Sequence, residues 1–182
     1  MAELAMNELN LRIDGVKVFT PQVFDDDRGH LFESYRSTWL PGVNFVQDNQ
    51  SHSTKGALRG LHYQHEHPQG KLVRVVRGEV YDVAVDIRQS SPTFGQWVGR
   101  TLNEENKELF WIPPGFAHGF LVLSDEADFV YKCTDYYTPG DEYAIRWDDS
   151  DLAIEWPLDS IIPKLSEKDA QAPLLAAAKL FT

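Results

Sequence analysis

The sequence has very few of the residues that build crosslinked folds, with a single cysteine, Cys133, in 182 residues. One cysteine cannot form a disulfide within the chain, so a disulfide-rich secreted scaffold is excluded. A zinc site built from several cysteines is excluded as well. Basic residues are also scarce, because 17 lysines and arginines stand against 28 acidic residues, for a net charge of −11. This balance disfavours nonspecific binding to nucleic acid or anionic membranes, although a local basic cluster could still hold a small anion.

Long apolar runs are missing too. The longest one in the middle of the chain covers residues 120–123, which is far too short to cross a bilayer. Residues 1–8 include acidic side chains and no apolar stretch, which argues against a signal peptide. We therefore expect a soluble, cytoplasmic protein. The length, together with a hydrophobic content of 42%, fits one folded domain with a real core.

Helix signals are scarce, and most of the chain predicts short β-strands separated by turn-forming residues. The strand predicted over Glu79–Ile87 is apolar on both faces apart from Asp82 and Asp86, which indicates a strand of an inner sheet. The other predicted strands are Val16–Phe19, His30–Tyr35, Asn44–Gln50, Ala57–Tyr63, Lys71–Arg77, Gln96–Thr101, Glu108–Ile112, Gly119–Leu123, Phe129–Cys133 and Tyr143–Trp147.

The end of the chain has a different character. Ser166–Asp169 resembles the start of a short helix, and Leu174–Leu180 is rich in alanine and therefore prone to form a helix. We predict one domain over residues 1–182, with an N-terminal strand segment at 1–35 and a helical tail at 164–182. The expected architecture is an all-β double-sheet barrel with short C-terminal helices.

Histidines concentrate in one stretch, where His62, His65 and His67 lie within six residues that also include a glutamate. A further histidine, His118, ends a Pro-x-Gly-x-x-His pattern that resembles the second motif of the cupin superfamily, whose members often bind a metal. A metal site is therefore one interpretation. Against it, His65 and His67 are predicted to lie in a loop outside the strand, where solvated histidines are commoner. A cupin metal site also needs ligands from both motifs, and the later motif supplies only His118.

Polar residues occupy strand positions that should be apolar in an ordinary barrel. Gln47 and Asn49 share one face of a predicted strand, because side chains alternate along a strand. Arg59 and His62 have opposite parity, and a β-bulge at Gly60 would let both point inward. Six polar residues on core strands indicate a polar lining inside the barrel: Gln47, Asn49, His62, Lys71, Asp82 and Tyr131.

Several segments strongly resemble the dTDP-4-dehydrorhamnose 3,5-epimerase family, from about Gly15 to about Pro173. The most specific motif is Arg-Gly-Leu-His-Tyr-Gln at residues 59–64. Further matching segments are residues 45–51, 55–58, 70–74, 78–88, 111–120 and 165–170. The resemblance implies a cupin-like jelly-roll barrel, a homodimer, and catalysis with no metal and no organic cofactor.

The implied reaction inverts C3 and C5 of dTDP-4-keto-6-deoxy-D-glucose through enolates, giving dTDP-4-keto-L-rhamnose for dTDP-L-rhamnose biosynthesis. Removing a proton beside a ketone requires a base, a group that stabilises the enolate oxygen, and an acid on the opposite face. His62 is the expected base, since imidazole titrates near physiological pH, and the family's His–Asp dyad implies Asp169 as its partner. Lys71 would stabilise the enolate, and Tyr131 would supply the new proton.

Two of these assignments have alternatives. Asp169 could be no more than an acidic residue in the first turn of a helix, where it stabilises the helix dipole. Tyr136 and Tyr137 are rival acids close to Tyr131 in the sequence. The family pattern places the acid at Tyr131 and assigns Tyr137 to stacking on the thymine base.

The resemblance also implies the residues that bind the substrate. Arg28, Arg59 and Lys168 match the positions that bind the diphosphate. Asp82 and His118 would line the sugar pocket. Arg28 follows three consecutive acidic residues, an unusual setting for a phosphate contact. Positions that would form hydrogen bonds to the nucleotide and the sugar are Glu33, Gln47, Asn49 and Glu142.

In the implied homodimer, N-terminal strands cross to the partner, so Arg28 and Glu33 would serve a site whose His62 belongs to the other chain. Three other functions remain open. An enzyme that inverts only C3 or only C5 of another dTDP-4-keto-6-deoxysugar would use the same base and acid. The remaining two are a non-catalytic cupin that binds a nucleotide sugar and a metal-dependent cupin oxygenase.

Overall fold

The computed structural model describes residues 6–182, and antiparallel β-strands dominate it. The single α-helix among these residues, α1 (Glu167–Ala170), is short, and no described helix is long and apolar enough to cross a membrane. Turns of 3₁₀ helix occupy Ser37–Trp39 and Leu175–Ala177. The strands are β1 (Asn7–Asn10), β2 (Lys17–Thr20), β3 (Val23–Asp26), β4 (Gly29–Phe32), β5 (Gln47–Thr54), β6 (Leu58–Gln64), β7 (Lys71–Arg77), β8 (Glu79–Asp86), β9 (Trp97–Asn103), β10 (Leu109–Ile112), β11 (Phe116–Val122), β12 (Glu126–Cys133) and β13 (Glu142–Ala144).

Two sheets pack face to face around an apolar core. The six-stranded sheet has the order β1-β2-β10-β7-β12-β5, and the five-stranded sheet has the order β13-β6-β11-β8-β9. Val73 and Phe129 of the first sheet pack with Val80, Phe116 and Phe120 of the second. The predicted all-β double-sheet barrel is therefore confirmed, and its interior is the space between these two inner faces.

Several strand predictions agree closely with the structure. Strand β7 has the predicted limits, and β8 is buried on both faces along most of its length, as its continuous apolar pattern indicates. Strands β1 and β3 were not predicted, because they are short and largely exposed and therefore carry little apolar alternation. Strand β4 ends at Phe32 instead of Tyr35. Strand β11 begins at Phe116, directly after the Pro-Pro-Gly turn, so His118 lies within a strand and not in a loop.

The predicted bulge at Gly60 is present where β6 pairs with β11. His62 faces His118 and Arg59 faces Phe120, so three residue steps on β6 match two on β11. Gly60 has a φ of +126°, and a Cβ there would lie 2.5 Å from the Cα of Gly119. Only glycine allows the two backbones to approach so closely at this point.

The C-terminal segment is mostly an extended strap and not the predicted helical tail. It packs on the outer face of the five-stranded sheet, where Trp156, Leu175 and Phe181 contact the cluster that contains Leu61 and Tyr63. The predicted helix over Leu174–Leu180 is reduced to one 3₁₀ turn. Hydrogen bonds from the sheet and from the segment after β8 explain this, since the Tyr63 hydroxyl donates to the Lys179 carbonyl and Gln89 N–H donates to the Phe181 carbonyl. These tertiary contacts outweigh the helix propensity of alanine.

A hairpin lies apart from both sheets. Its two strands, β3 and β4, pair with each other alone among the described residues, and Phe24 and Leu31 are exposed on it. The Arg74 guanidinium lies 5.8 Å from the ring centre of Phe32. Because Arg74 alternates with Val73 and Val75 of the core, the hairpin lies near the outer face of the six-stranded sheet.

Candidate active site

His62 and Asp169 are in contact although 107 residues separate them in the sequence. His62 Nε2 lies 2.5 Å from Asp169 Oδ1, and Asp169 is almost completely buried. The Ser166 hydroxyl caps α1 by accepting the Asp169 N–H at 3.1 Å, which fixes the carboxylate in the first helical turn. Asp169 is therefore an acid in a first helical turn, but it is also the partner of His62, so the alternative in which it does no more than stabilise the helix dipole is wrong.

The electrostatics of this pair favour an ionised carboxylate. Burial by itself raises the pKa of Asp169, but hydrogen bonds from His62, Ser166 and the Gly60 backbone outweigh it, so the pKa is lowered. An ionised Asp169 accepts the Nε2–H of a neutral His62 and leaves the lone pair of the other ring nitrogen free to take a proton.

The six-stranded sheet places its polar side chains in two rows across neighbouring strands. In one row Cys133 pairs with Lys71 on one side and with Gln47 on the other. In the next row, two residues along each strand, Tyr131 pairs with Asn49 and with Val73. Since Val73 belongs to the core between the sheets, these rows face the barrel interior. The predicted polar lining on this sheet is thereby located.

Lys71 and Tyr131 have environments that suit the expected roles. Burial lowers the pKa of Lys71, whereas the charges of Glu142 and Asp82 oppose that shift. No hydrogen-bond partner for the Lys71 amine is present among the described residues, so its donors are available to a ligand. Burial raises the pKa of Tyr131, which keeps its phenol protonated at neutral pH and able to act as an acid.

A second buried pair, Asp82 and His118, lies beside His62. His118 pairs directly with His62 in the sheet register, and its Nε2 lies 2.9 and 3.0 Å from the two carboxylate oxygens of Asp82. Burial raises the pKa of Asp82 and lowers the pKa of His118. The His118 ring stacks on Phe129, which in turn contacts Tyr131, so this contact connects the polar groups of the two sheets.

A cleft of about 350 Å³ opens beside His62 and Asp169. Its lining includes Arg59, Glu142 and Lys168, three of the residues expected to bind substrate. The Lys168 ammonium contacts the Glu142 carboxylate, and Arg59 Nε donates to the Ser53 hydroxyl at 3.0 Å. The cleft thus combines the His–Asp pair with three cations, Arg59, Lys164 and Lys168, which is a suitable arrangement for an anionic ligand despite the net charge of −11.

The two rival tyrosines lie outside the barrel interior. Tyr136 and Tyr137 occupy the loop between β12 and β13 and are 61% and 52% exposed, respectively. Tyr131 lies on β12 and is partly buried. The Tyr137 N–H donates to Gln47 Oε1 at 2.9 Å, which connects the loop to the polar row inside the barrel.

Two predicted binding residues do not join this cluster within the chain. Arg28 lies at the hairpin turn, where its side chain is highly exposed and pairs with Asp26. Glu33 follows β4 and pairs with Arg36. Both belong to the segment near the outer face of the six-stranded sheet, whereas Lys71 and Tyr131 project from the inner face.

The clustered histidines do not assemble into one site. His62 contacts Asp169, while His65 stacks on Phe181 with ring centres 5.0 Å apart and contacts the Leu180 carbonyl at 3.1 Å. His65 is therefore not the solvated loop residue that the sequence predicted, although His67 is exposed. Across residues 6–182, no group of three or more histidine, cysteine, aspartate or glutamate side chains is arranged to hold a metal ion.

Comparison with known proteins gives this geometry its context. A family model described as dTDP-4-dehydrorhamnose 3,5-epimerase matches residues 10–177. The chain belongs to the dTDP-4-dehydrorhamnose 3,5-epimerase family. It is 54% identical over 181 residues to the dTDP-4-dehydrorhamnose 3,5-epimerase of Pseudomonas aeruginosa, covering 97% of this chain and 99% of that one. The expected family and enzyme class are confirmed.

Solved structures of epimerases have the same fold. An epimerase from Legionella pneumophila, in complex with dTDP-4-keto-L-rhamnose, is 56% identical, with a TM-score of 0.92 and coverage of 95% of this chain and 94% of that one. ChmJ from Streptomyces bikiniensis, a 3'-monoepimerase in complex with dTDP-quinovose, is 38% identical. Its TM-score is 0.86, with coverage of 91% of this chain and 86% of that one. The cupin-like fold expected from the epimerase family is thereby confirmed.

Sequence reasoning missed three residues that shape the site. Cys133 was considered only for disulfides and zinc sites, yet it lies between Lys71 and Gln47 in the polar row. Gln64 closes the most specific motif and was given no role, although its parity with His62 is visible in the sequence. Asp141 accepts three successive backbone N–H groups from residues 65–67, a contact that no local pattern reveals.

Proposed function

We propose that this member of the epimerase family is a dTDP-4-dehydrorhamnose 3,5-epimerase that converts dTDP-4-keto-6-deoxy-D-glucose to dTDP-4-keto-L-rhamnose. The observation that carries the proposal is the His62–Asp169 pair on the five-stranded sheet, with Lys71 and Tyr131 on the inner face of the six-stranded sheet. This set contains every group that proton exchange beside a ketone requires. The complex of the 56% identical relative with dTDP-4-keto-L-rhamnose supports the choice of sugar.

The chemistry follows from the charges of these groups. The free ring nitrogen of His62 takes the proton from the carbon beside the ketone, and ionised Asp169 stabilises the imidazolium that forms. The electron pair moves onto the ketone oxygen, where the Lys71 ammonium stabilises the enolate within the low-dielectric cavity. Tyr131 then donates its phenolic proton to the opposite face of the carbon, which inverts the centre. Because C3 and C5 flank the same ketone, one cation serves both inversions.

The nucleotide end of the substrate requires different contacts. Arg59 and Lys168 line the cleft beside His62 and supply positive charge for the diphosphate. Tyr137 offers an exposed ring at the mouth, on which a thymine base can stack. Gln47, Asn49, Asp82, His118 and Glu142 supply the hydrogen-bonding groups along the interior.

We also propose a cytoplasmic homodimer in which each hairpin, formed by β3 and β4, completes the partner's site. Arg28 and Glu33 lie on the outer side of the barrel in their own chain, so they can contact a nucleotide only in another subunit. The exposed side chains of Phe24 and Leu31, 43% and 73% accessible, provide the hairpin with an apolar surface for that contact.

Incubation with dTDP-4-keto-6-deoxy-D-glucose in heavy water tests the reaction. We expect one deuterium at C3 and one at C5, located by NMR and counted by mass spectrometry, because each inversion takes its new proton from solvent-exchanged groups. Incorporation at C3 alone would indicate a single-position epimerase, like the 3'-monoepimerase relative, and would contradict double epimerisation. No incorporation at all would indicate a binding protein without catalytic activity.

Two variants separate the base from the acid in the same assay. His62→Ala should abolish exchange at both carbons, because no enolate forms. Tyr131→Phe should lose inverted product while exchange persists, since His62 can still return a solvent-derived proton to the original face. General acid–base groups contribute about 10²–10⁴ in rate, so both losses are measurable. Equal loss of exchange in the two variants would contradict this division of roles.

A further inference from the structure

The loop between β12 and β13 crosses the mouth of the barrel and joins the two sheets. It leaves β12 of the six-stranded sheet after Cys133 and enters β13 of the five-stranded sheet at Glu142. The loop carries Tyr137, whose ring is half exposed at the mouth. Such a connection would normally be mobile, because its main chain has no ladder of strand hydrogen bonds.

Gln64 holds this loop from the five-stranded sheet. It is 3% exposed and lies on β6, two residues after His62. Its Nε2 donates to the Tyr136 carbonyl at 3.1 Å and to the His67 carbonyl at 2.8 Å. Its Oε1 accepts the Thr138 N–H at 2.8 Å. Both amide hydrogens and the carbonyl oxygen of this side chain are therefore used by main-chain groups.

Gln47 holds the same stretch from the six-stranded sheet. Its Oε1 accepts the Tyr137 N–H at 2.9 Å, while its Nε2 donates to Asn49 Oδ1 at 3.1 Å. The main chain of three successive residues, Tyr136 to Thr138, is thus fixed by two side-chain amides that come from opposite sheets. The residue in the middle of this clamp is Tyr137.

We propose that Gln64 is a positioning residue, which holds the Tyr137 ring in place to receive the base of the nucleotide. This inference rests on the proposed function. An ordered loop loses less conformational entropy when ligand binds, so the clamp raises affinity for the nucleotide without contacting it. A glutamine that served folding alone would stabilise the protein but would not act through Tyr137.

Gln64→Met tests the role, because methionine has a similar length and none of the three hydrogen bonds. We expect about a tenfold weaker Kd for dTDP by calorimetry and a similar rise in KM, with kcat changed by less than about twofold. The matched control is Gln69→Met, since Gln69 Nε2 donates to the same loop at the Asp135 carbonyl, 2.8 Å away and outside the clamped residues. We expect that control to bind dTDP within about twofold of the wild type.

A double-mutant cycle with Tyr137→Ala shows whether Gln64 acts through the ring. We expect Gln64→Met to weaken dTDP binding by less than about twofold once Tyr137 is alanine, because the clamp then has no ring to position. An equal loss in both backgrounds, or a fall in kcat at constant KM, would overturn the proposal. If Gln64→Met does not fold, Gln64→Glu replaces it in the cycle, since it keeps the acceptor for Thr138 and loses both donors. Failure of the wild type to epimerise the sugar would overturn the proposed function alone, because the cycle measures only binding of dTDP.

Discussion

At the scale of single residues, the fold depends on how each buried carboxylate finds partners. Asp82 and Asp86 interrupt the same apolar strand with the same parity. The sequence alone therefore predicts that both side chains lie on the same face and does not distinguish their environments. The structure separates them. Asp82 lies within the barrel beside His118, whereas Asp86 lies at the end of β8, where Arg88, Ser91 and Thr93 donate to its carboxylate. Five aspartates are buried among the described residues: Asp82, Asp86, Asp141, Asp149 and Asp169.

The Asp86 network predicts a stability that depends on pH. Burial alone would raise the pKa of Asp86, but hydrogen bonds from Arg88, Ser91 and Thr93 outweigh it and lower the pKa to about 2. Because the folded-state pKa lies below the unfolded value, the carboxylate stabilises the fold above about pH 4 and loses this effect as the pH falls towards 2. We expect Asp86→Asn to lower the free energy of unfolding by about 2 kcal/mol at pH 7.

Urea denaturation at pH 7, 4 and 3 measures this effect. The difference between wild type and Asp86→Asn should be largest at pH 7 and should shrink as the pH falls below 4. Asp125→Asn is the control, because Asp125 is exposed, and it should change stability by less than about 0.5 kcal/mol. A difference that stays constant from pH 7 to pH 3 would show that the charge of Asp86 contributes nothing.

At the scale of elements, β6 carries two separate functions on its two faces. His62 and Gln64 face the site and its mouth, while Tyr63 packs with the C-terminal strap on the other face. His65, just beyond the strand, stacks on Phe181 of the same strap. The strap therefore supports the strand that positions His62, and it also carries Asp169.

Phe181→Ala tests this support. Phe181 contacts both Tyr63 and His65, and it is only partly buried, so we expect a loss of roughly 1–3 kcal/mol in the free energy of unfolding. Amide hydrogens of β6 should also exchange faster, because their covering layer is loosened. Leu174→Ala is the control in the same segment, as Leu174 is 41% exposed and should change stability by less than about 0.5 kcal/mol. Wild-type stability in Phe181→Ala would show that the Phe181 ring contributes nothing to the support of β6.

The elements also show what the sequence can and cannot predict. Alternation along single strands was sufficient to predict the polar lining, and the parity conflict between Arg59 and His62 was sufficient to predict the bulge at Gly60. The contact between His65 and Phe181 could not be predicted, because its partners are far apart in the chain and no local pattern connects them. The alanine-rich strap was wrongly predicted to be helical, since propensity does not include hydrogen bonds from a distant sheet.

At the scale of the whole molecule, one chain does not bring together all the residues that we propose for the site. Lys71 and Tyr131 face the interior of the six-stranded sheet, whereas Arg28 and Glu33 lie with the hairpin near its outer side. A two-fold symmetric dimer resolves this separation. If the hairpin of one subunit reaches the site of the second, symmetry places the hairpin of the second subunit at the site of the first. Each subunit would then contain one His–Asp pair and would contribute its Arg28 to the site of its partner.

Complementation between two inactive variants tests this arrangement. In a heterodimer of Arg28→Ala and His62→Ala subunits, crossing gives one site with both wild-type residues and one site with neither. Co-expression that pairs subunits at random makes half of the dimers mixed, each with one active site, so we expect about a quarter of the wild-type activity. A segment that folded onto its own barrel would leave every site broken, and the mixture would then be no more active than either variant alone.

The matched control pairs His62→Ala with Asp169→Asn. These two residues lie 2.5 Å apart within one chain, so every site in that heterodimer lacks one member of the pair, and no activity should return. Activity in this control would have to come from contaminating wild-type subunits or from residual function of one variant. It would then invalidate the result with Arg28→Ala and His62→Ala. Activity that returns when His62→Ala is paired with Arg28→Ala, but not when it is paired with Asp169→Asn, assigns Arg28 to the partner's site. A different affinity tag on each subunit allows the heterodimer to be purified and this activity to be confirmed.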